Sequence, residues 1–243
     1  MPPEAARPTG SRPPARGYAA GQATRLRLLE VAEELFADRG IDAVSLNEVR
    51  LAAGQSNAGA INYHFGSKSH LLRAVIEHRL VRIEAERGEL LATLITKNRG
   101  GDPRALLEAL ILPQAASIGR GERYVGLISH LLAAPHGGYS EHIFLLADPD
   151  LVPNGLKINE LLGACLTHLP PPVAQRRLTL LYTSTVQALA QFQRRASTGQ
   201  EPPPELFVAE LIDAVTPMLT TPMSPETLTQ LECQRQSTDR DPM

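Results

Sequence analysis

Hydrophobic residues recur every three or four positions along most of the chain, and no stretch alternates apolar and polar residues over the length of a strand. The clearest repeat lies between Thr24 and Arg39. Its apolar stripe consists of Leu28, Val31, Ala32, Leu35 and Phe36. Because this spacing places the apolar side chains on one face of a helix, it predicts an amphipathic helix. The expected fold class is all-α.

A shorter pattern, from residue 44 to residue 68, predicts two helices joined by a tight turn. Ser45 and Glu48 have the spacing of a capping box, so the first helix begins at Leu46, and Gly54 ends it. Ser56 or Asn57 can cap the second helix, which ends before Gly66. Two short helices joined in this way are typical of a helix-turn-helix, whose second helix enters the major groove of DNA.

The second helix has a core face and an outward face. At about 100° per residue, Ala58, Ile61 and Phe65 lie toward the core, whereas Gly59 and Tyr63 point away from it. A tyrosine at the centre of an outward face suits a helix pressed on DNA. Packing of Tyr63 against another helix is the alternative.

The next helix, which begins near Ser67, has an unusual charge at its start. Lys68, His70 and Arg73 lie in or near its first turn without an acidic residue, although the helix dipole favours carboxylates there. A helix N-terminus with an adjacent lysine suits a DNA phosphate. A solvated lysine is the alternative.

These elements together resemble the DNA-binding domain of the TetR family of bacterial transcriptional regulators. The AAG turn, the YHFGSK segment and the LLRAV that follows carry the resemblance, which extends from Thr24 to Val75. Two features differ from the family pattern: the segment Gln55 to Gly59 is one residue longer, and Asn62 stands where a tyrosine is frequent. With the outward face described above, the resemblance implies DNA contacts from Ser45, Asn47, Ser56, Asn57, Gly59, Ala60, Asn62, Tyr63, His64 and Lys68.

Composition fits local rather than general contact with DNA. The 243 residues carry a net charge of −2, but residues 1–73 hold nine basic and seven acidic side chains. Cys165 and Cys233 lie far apart and form no disulfide framework or zinc spacing. The N-terminus has no apolar segment typical of a signal peptide, and no apolar run reaches the roughly 20 residues that span a bilayer. We expect a soluble, cytoplasmic protein without membrane contact.

Four regions are expected along the chain. A disordered arm of Pro, Ala, Gly and Arg covers 1–22; its Arg7, Arg12 and Arg16 either enter a minor groove or are solvated. The DNA-binding unit covers 23–68, a helical domain 69–220, and a flexible tail 221–243. Helices are predicted after Lys68, with a break at Gly88, and from Asp102 toward Ile118, then over 122–134, 140–146, 154–169, 172–196 and 204–219.

The last two predicted helices carry apolar arcs that are wider than packing on one side requires. Packing within the chain is one interpretation. The resemblance to the TetR family implies another, in which both helices pair with their copies in a four-helix homodimer interface. The residues assigned to that interface are Leu181, Thr185, Ala188, Phe192, Phe207, Leu211, Val215 and Met218.

No catalytic or metal-binding motif is apparent. His130, His136 and His142 are six residues apart, which is not a helical ligand spacing, and no G-x-S-x-G or phosphate loop occurs. We expect neither an enzyme nor a bound cofactor or metal. Polar residues among apolar ones in the helical domain are weak candidates for contacts with a small-molecule effector: Tyr124, His130, Tyr139, His142 and Tyr182.

The resemblance implies a TetR-like regulator that binds a palindromic operator as a homodimer. We expect a repressor that a small molecule releases from DNA by favouring another dimer geometry. An activator or a regulator without a ligand is the first alternative. A helical ligand-binding or adaptor protein without a DNA role is a second, and an enzyme a third.

Overall fold

The computed structural model describes residues 15–57, 59–133, 148–196 and 201–239. Within these ranges the chain forms α-helices and no strands, which confirms the all-α prediction. The helices are α1 (Ala15–Arg39), α2 (Leu46–Ala52), α3 (Ala60–His64), α4 (Lys68–Thr96), α5 (Pro103–Gly119), α6 (Tyr124–Ala133), α7 (Pro153–Ala164), α8 (Pro171–Ala196), α9 (Pro204–Val215), α10 (Pro217–Thr220) and α11 (Pro225–Asp239).

The first three helices form the predicted helix-turn-helix around a small core. Leu28 and Phe36 of α1 are fully buried, and Val49 of α2 packs into the same core. The capping box at the start of α2 is confirmed: Ser45 Oγ accepts from the Glu48 amide at 3.2 Å, and Glu48 Oε2 accepts from the Ser45 amide at 2.7 Å.

The second helix of this motif is shorter than predicted. It begins at Ala60 rather than near Asn57, because Asn57 Oδ1 accepts from the Gly59 amide at 2.9 Å and forms a local turn there. Ala58, predicted to face the core, lies outside the described residues. The C-terminal end is as predicted, since Gly66 adopts φ +75°, a conformation that glycine tolerates.

Helix α4 is continuous, so the break predicted at Gly88 is wrong. Gly88 instead allows a close approach of α7: a Cβ at this position would lie 3.0 Å from the Asn154 side chain. The Asp102 cap on α5 is confirmed, with Oδ1 accepting from the Ala105 amide at 3.2 Å. The helix predicted over 140–146 lies outside the described residues.

Three predicted boundaries differ from the structure: the end of the N-terminal arm, the extent of the helix over 204–219 and the start of the tail. The predicted arm extended too far, because the Ala-rich residues after Ala15 already belong to α1, whereas residues 1–14 lie outside the described ranges. The segment 204–219 divides at Pro217, which lacks an amide to continue α9. The predicted loose tail contains α11, because Pro225 occupies the first turn, where proline is tolerated.

The remaining helices build one core around α4, α5, α6 and α8. Leu80, Leu107, Leu127 and Val186 are buried there. Among the described helices no single one is long and apolar enough to cross a membrane. Two helical segments joined by a bend of 52°, Pro204–Thr220 and Pro225–Cys233, together reach that length and apolar composition, and nothing else in the described residues indicates a span.

Candidate DNA-binding surface and ligand cavity

Helix α3 turns one face to the core and the other to solvent, in the predicted register. Ile61 and Phe65 are buried, with 3% and 8% of their surface exposed, whereas Tyr63 is 85% exposed. The alternative in which Tyr63 packs within this chain is thereby excluded. Asn62 is exposed beside it, His64 is half-buried, and the Tyr63 and His64 rings meet edge to face at 5.1 Å.

Arg50 holds the turn between α2 and α3. Its guanidinium donates to the Gln55 carbonyl, to the Ser56 carbonyl at 3.4 Å, and to Asn47 Oδ1 at 2.9 Å. The turn therefore has a fixed shape, although Ala53 is the only buried side chain among its described residues. Sequence reasoning missed this role, because an arginine on a short helix gives no sign that its donors reach a later turn.

The other residues assigned to DNA lie around α3. Ser45, Asn47, Ser56, Asn57 and Gly59 are exposed. The Ser45 and Asn47 side-chain oxygens already accept hydrogen bonds within the chain, which leaves their donor groups for an outside partner. The side chain of Ala60 lies outside the described residues.

The start of α4 has the predicted features. Ser67 caps the helix by accepting from the His70 amide at 3.1 Å, and the first turn has no acidic residue. Lys68 Nζ lies 3.4 Å from the Asp42 carbonyl, just before α2. Partial burial lowers the pKa of Lys68, and the charges of Asp42 and Glu48 act against that shift. The ammonium group of Lys68 and the N-terminus of α4 thus lie together beside α3.

A cavity of about 410 Å³ lies among the central helices. Its lining residues are Leu80, Arg87, Leu110, Tyr124, Leu132, Val152, Gly155, Leu156, Asn159, Leu162, Gln175, Leu178, Thr179, Leu181, Tyr182 and Thr183. Two of the five effector candidates, Tyr124 and Tyr182, are therefore at the cavity. His130 is elsewhere, with Nε2 3.0 Å from the Ala37 carbonyl of α1. Tyr139 and His142 lie outside the described residues.

Arg87, which lines the cavity, belongs to a charged pair that sequence reasoning missed. Arg87 Nη1 donates to Glu84 Oε1 at 2.7 Å, and both side chains are 7% exposed. Residues three apart on a helix usually form a surface pair. Here the pair is buried because α7 covers it, donating the Asn154 amide at 2.9 Å and the Gly155 amide at 3.1 Å to Glu84 Oε2.

A second charged cluster joins the helix-turn-helix to the larger domain. Glu33 of α1 accepts from Arg79 of α4 and from the Arg123 amide before α6, at 2.6 and 2.8 Å. Close by, a Cβ on Gly126 would lie 3.1 Å from Ala37 Cβ, so α1 and α6 approach closely. Helix α1 is therefore tied to α4 and α6, and it packs on α2, which contacts α3.

Most residues assigned to the dimer interface point into the chain. Leu181, Thr185, Phe192, Leu211 and Val215 are each exposed by 9% or less. Ala188, Phe207 and Met218 are half-buried and pack against the core, with the Phe192 and Phe207 rings stacked at 4.3 Å. The apolar arcs are therefore core, because α8 and α9 cover other helices of the same chain. Leu180 and Leu206 on the same two helices are 55% and 50% exposed.

Among the described residues no group of three His, Cys, Asp or Glu side chains could hold a metal ion. His136 and His142 of the sixfold histidine spacing lie outside those residues, and His130 contacts a backbone carbonyl.

Comparison with known proteins finds a family match for the helix-turn-helix region. Residues 28–75 match the family described as "Bacterial regulatory proteins, tetR family". The chain is 30% identical over 125 residues to the HTH-type transcriptional repressor KstR2 of Rhodococcus jostii (strain RHA1), covering 50% of this chain and 58% of that protein. It is 36% identical over 91 residues to the HTH-type transcriptional regulator AcrR of Shigella flexneri, covering 37% of this chain and 40% of that protein.

The matched part thus spans between two fifths and three fifths of these curated relatives. A crystal structure of a protein from Rhodococcus sp. RHA1 aligns with a TM-score of 0.43 at 20% identity, over 82% of this chain and 96% of that one. The family match at residues 28–75 covers α2 and α3 entire and ends within α4. The helix-turn-helix region of the chain is thus similar to the DNA-binding region of the tetR family of bacterial regulatory proteins.

Proposed function

We propose that the protein is a ligand-responsive transcriptional regulator that binds a palindromic operator as a homodimer in the cytoplasm, and that it represses. The observation that carries the proposal is the 85% exposure of Tyr63 on the outward face of α3, a helix whose opposite face is buried. An aromatic side chain held outward on a fixed short helix suits contact with base edges or sugars. We assign the protein no catalytic role.

Contacts with the DNA backbone would position α3. The start of α4 supplies backbone amides and Lys68, and the exposed hydroxyl of Ser45 at the start of α2 supplies a further donor. Helix N-termini and lysines are frequent phosphate ligands. Lys68 Nζ lies 3.4 Å from the Asp42 carbonyl, three residues before Ser45, so these donors lie close to one another and could hold neighbouring phosphates.

A second copy of the chain would cover the exposed faces of α8 and α9. Leu180 and Leu206 support this proposal, because two half-exposed leucines on adjacent surface helices suit burial in a symmetric contact. The interface proposed here replaces the inward-facing residues that the sequence indicated. Its two-fold axis would relate the two α3 helices and require an operator with inverted half-sites.

The cavity would hold the effector. KstR2 is named a repressor, and we extend that role to this chain because the two proteins align over 125 residues. A ligand that prefers a dimer geometry unable to span both half-sites would release the operator, since it shifts the equilibrium by its difference in affinity for the two geometries.

Selection of bound sequences from random DNA duplexes tests the DNA role and recovers the operator sequence in the same experiment. We expect the recovered sequences to be inverted repeats with half-site centres about 34–36 Å apart, or a multiple of that distance. Lys68→Ala should weaken all duplexes alike and reduce the salt dependence by about one unit per protomer. Lys97→Ala, at the far end of α4, is the matched control and should change neither. Recovered sequences without two-fold symmetry would contradict the proposal.

Tyr63→Ala separates DNA contact from folding. Because the side chain is 85% exposed, we expect the free energy of unfolding to change by less than about 0.5 kcal/mol, while operator affinity falls at least tenfold. An operator affinity equal to that of the unchanged protein would refute the role of α3.

The double variant Leu180→Glu, Leu206→Glu tests the interface. Both positions are about half exposed, so the fold should tolerate the change, while like charges would meet their copies in the dimer. Sedimentation should find a monomer that no longer protects the selected operator. Val81→Glu, on α4 at a residue that is 75% exposed, is the control and should remain dimeric. A double variant that remains dimeric would refute this interface.

A further inference from the structure

The cavity contains a guanidinium whose hydrogen bonds are incomplete. Arg87 lines the cavity and its side chain is 7% exposed, yet its Nε has no hydrogen-bond partner among the described residues. Its Nη2 reaches only the Leu110 carbonyl, at 3.5 Å. A guanidinium has five N–H donors, and leaving buried donors unpaired is unfavourable. Because Arg87 lines the cavity, a ligand whose acceptor atom reaches the guanidinium would lower this cost.

The charge of Arg87 is already balanced. Glu84 lies 2.7 Å from the guanidinium and also accepts two amides at the start of α7. Arg87 is the only charged side chain that lines the cavity within the described chain. A carboxylate or phosphate entering the cavity would thus add an uncompensated buried charge, which is strongly unfavourable. The acceptor that fits is uncharged.

Two phenols add further donors. Tyr124 and Tyr182 line the same cavity, and neither hydroxyl forms a hydrogen bond with a described residue. Burial raises the pKa of both phenols, so both stay protonated at neutral pH and can donate. Each lies near enough to Arg87 for the guanidinium charge to act on it.

Aliphatic side chains form most of the remaining wall, among them Leu80, Leu110, Val152, Leu162, Leu178 and Leu181. A volume of about 410 Å³ is within the range of small-molecule sites in proteins. Apolar walls with one group of converging donors select a molecule that is mostly hydrocarbon and polar at one position.

We propose that the effector is an uncharged, predominantly aliphatic molecule with a carbonyl oxygen, as in a ketone, ester or amide, which accepts hydrogen bonds from Arg87, Tyr124 and Tyr182. The proposal rests on the proposed function in one respect only, the assumption that the cavity is the effector site. It adds the chemical class of the ligand and the residues that recognise it.

Calorimetric titration of the full-length protein with three nine-carbon probes tests the class. Nonan-2-one should bind at least tenfold more tightly than nonanoate or nonylammonium at pH 7.5. Tyr124→Phe and Tyr182→Phe should each lower the affinity for the ketone by roughly 3- to 10-fold, the effect of one neutral hydrogen bond, without lowering the melting temperature. Tyr63→Phe, outside the cavity, is the matched control and should have no effect.

Nonanoate binding as tightly as the ketone would overturn the assignment of an uncharged ligand. Unchanged ketone affinity in both phenylalanine variants would overturn the assignment of the donors. The affinity of the protein for the selected DNA duplex, measured by fluorescence anisotropy in the presence of each probe, distinguishes failure of this proposal from failure of the proposed function. Ketone binding that depends on Tyr124 and Tyr182 but leaves DNA affinity unchanged supports the ligand class and contradicts a ligand-responsive regulator. DNA binding without ketone binding contradicts the ligand class alone.

Discussion

Replacing Glu33 by alanine should destabilise the protein far more than replacing any exposed acidic residue. The Glu33 side chain is 3% exposed and lies between Arg79, at 2.6 Å, and the Arg123 amide, at 2.8 Å. Burial raises the pKa of Glu33 in spite of these donors, which shows how strongly this carboxylate is desolvated. Its removal leaves the Arg79 guanidinium, 17% exposed, without its main partner.

Breaking a buried pair by removing one partner costs about 3–5 kcal/mol. Glu122 lies 3.4 Å from Arg79 and retains part of the compensation, so we expect the lower end of this range, about 3 kcal/mol. For a chain of this size that loss corresponds to a melting temperature lower by roughly 6–12 °C.

Urea unfolding followed by circular dichroism measures the difference. Glu77→Ala is the matched control, because Glu77 pairs with Arg73 on the surface of α4, the helix that carries Arg79, and the two side chains are 37% and 51% exposed. An exposed pair of this kind contributes about 0.3–0.5 kcal/mol. A loss in Glu33→Ala no greater than that in Glu77→Ala would refute the idea that this cluster fastens α1 to the rest of the chain.

Three further predictions concern single elements. The pKa of Glu48 is lowered to about 2 by hydrogen bonds from Ser45. Its contribution to stability should therefore be present above pH 4.5 and disappear as the pH falls toward 2. Glu48→Gln should remove this pH dependence of the melting temperature. Gly126→Val should destabilise the protein by about 1–3 kcal/mol in urea unfolding, because a Cβ already meets Ala37 at 3.1 Å, whereas Gly21→Ala, with open space around it, should stabilise it slightly. Asp102→Ala should cost about 1 kcal/mol in the same assay through loss of the α5 cap.

Features with a local cause were predictable from the sequence. The capping box of Ser45 and Glu48, and the inward Ile61 with the outward Tyr63, depend on residues only a few positions apart. Helical periodicity and capping therefore sufficed to place them. The length of α3 was not predictable in this way, because the Asn57 side chain competes with the helix for the Gly59 amide.

Features that depend on distant segments were not predictable. The arc containing Leu211 and Val215 is apolar whether it faces another helix of the chain or a second copy, so its pattern could not decide between core and interface. Gly88 is likewise explained only by Asn154, 66 positions later in the sequence, which packs against it. Arg87 has the spacing of a surface pair, and its burial follows from the position of α7.

The DNA-binding surface and the cavity share two rigid connections. Helix α4 begins at Lys68 beside α3 and reaches the cavity at Arg87, roughly 28 Å further along the helix. Helix α6 carries Tyr124 at the cavity, and its Gly126 and His130 lie against Ala37 of α1.

These connections explain how a small ligand could act on α3 without touching it. Packed helices change position in discrete steps rather than by continuous deformation. A molecule that displaces Tyr124 would therefore shift α6 as a rigid helix. Because His130 and Gly126 hold α6 against Ala37, a shift of α6 would carry α1 and the helices packed on it. The contacts of Glu33 with Arg79 and with the Arg123 amide couple α4 to the same movement. In the proposed dimer, the distance between the two α3 helices would then change.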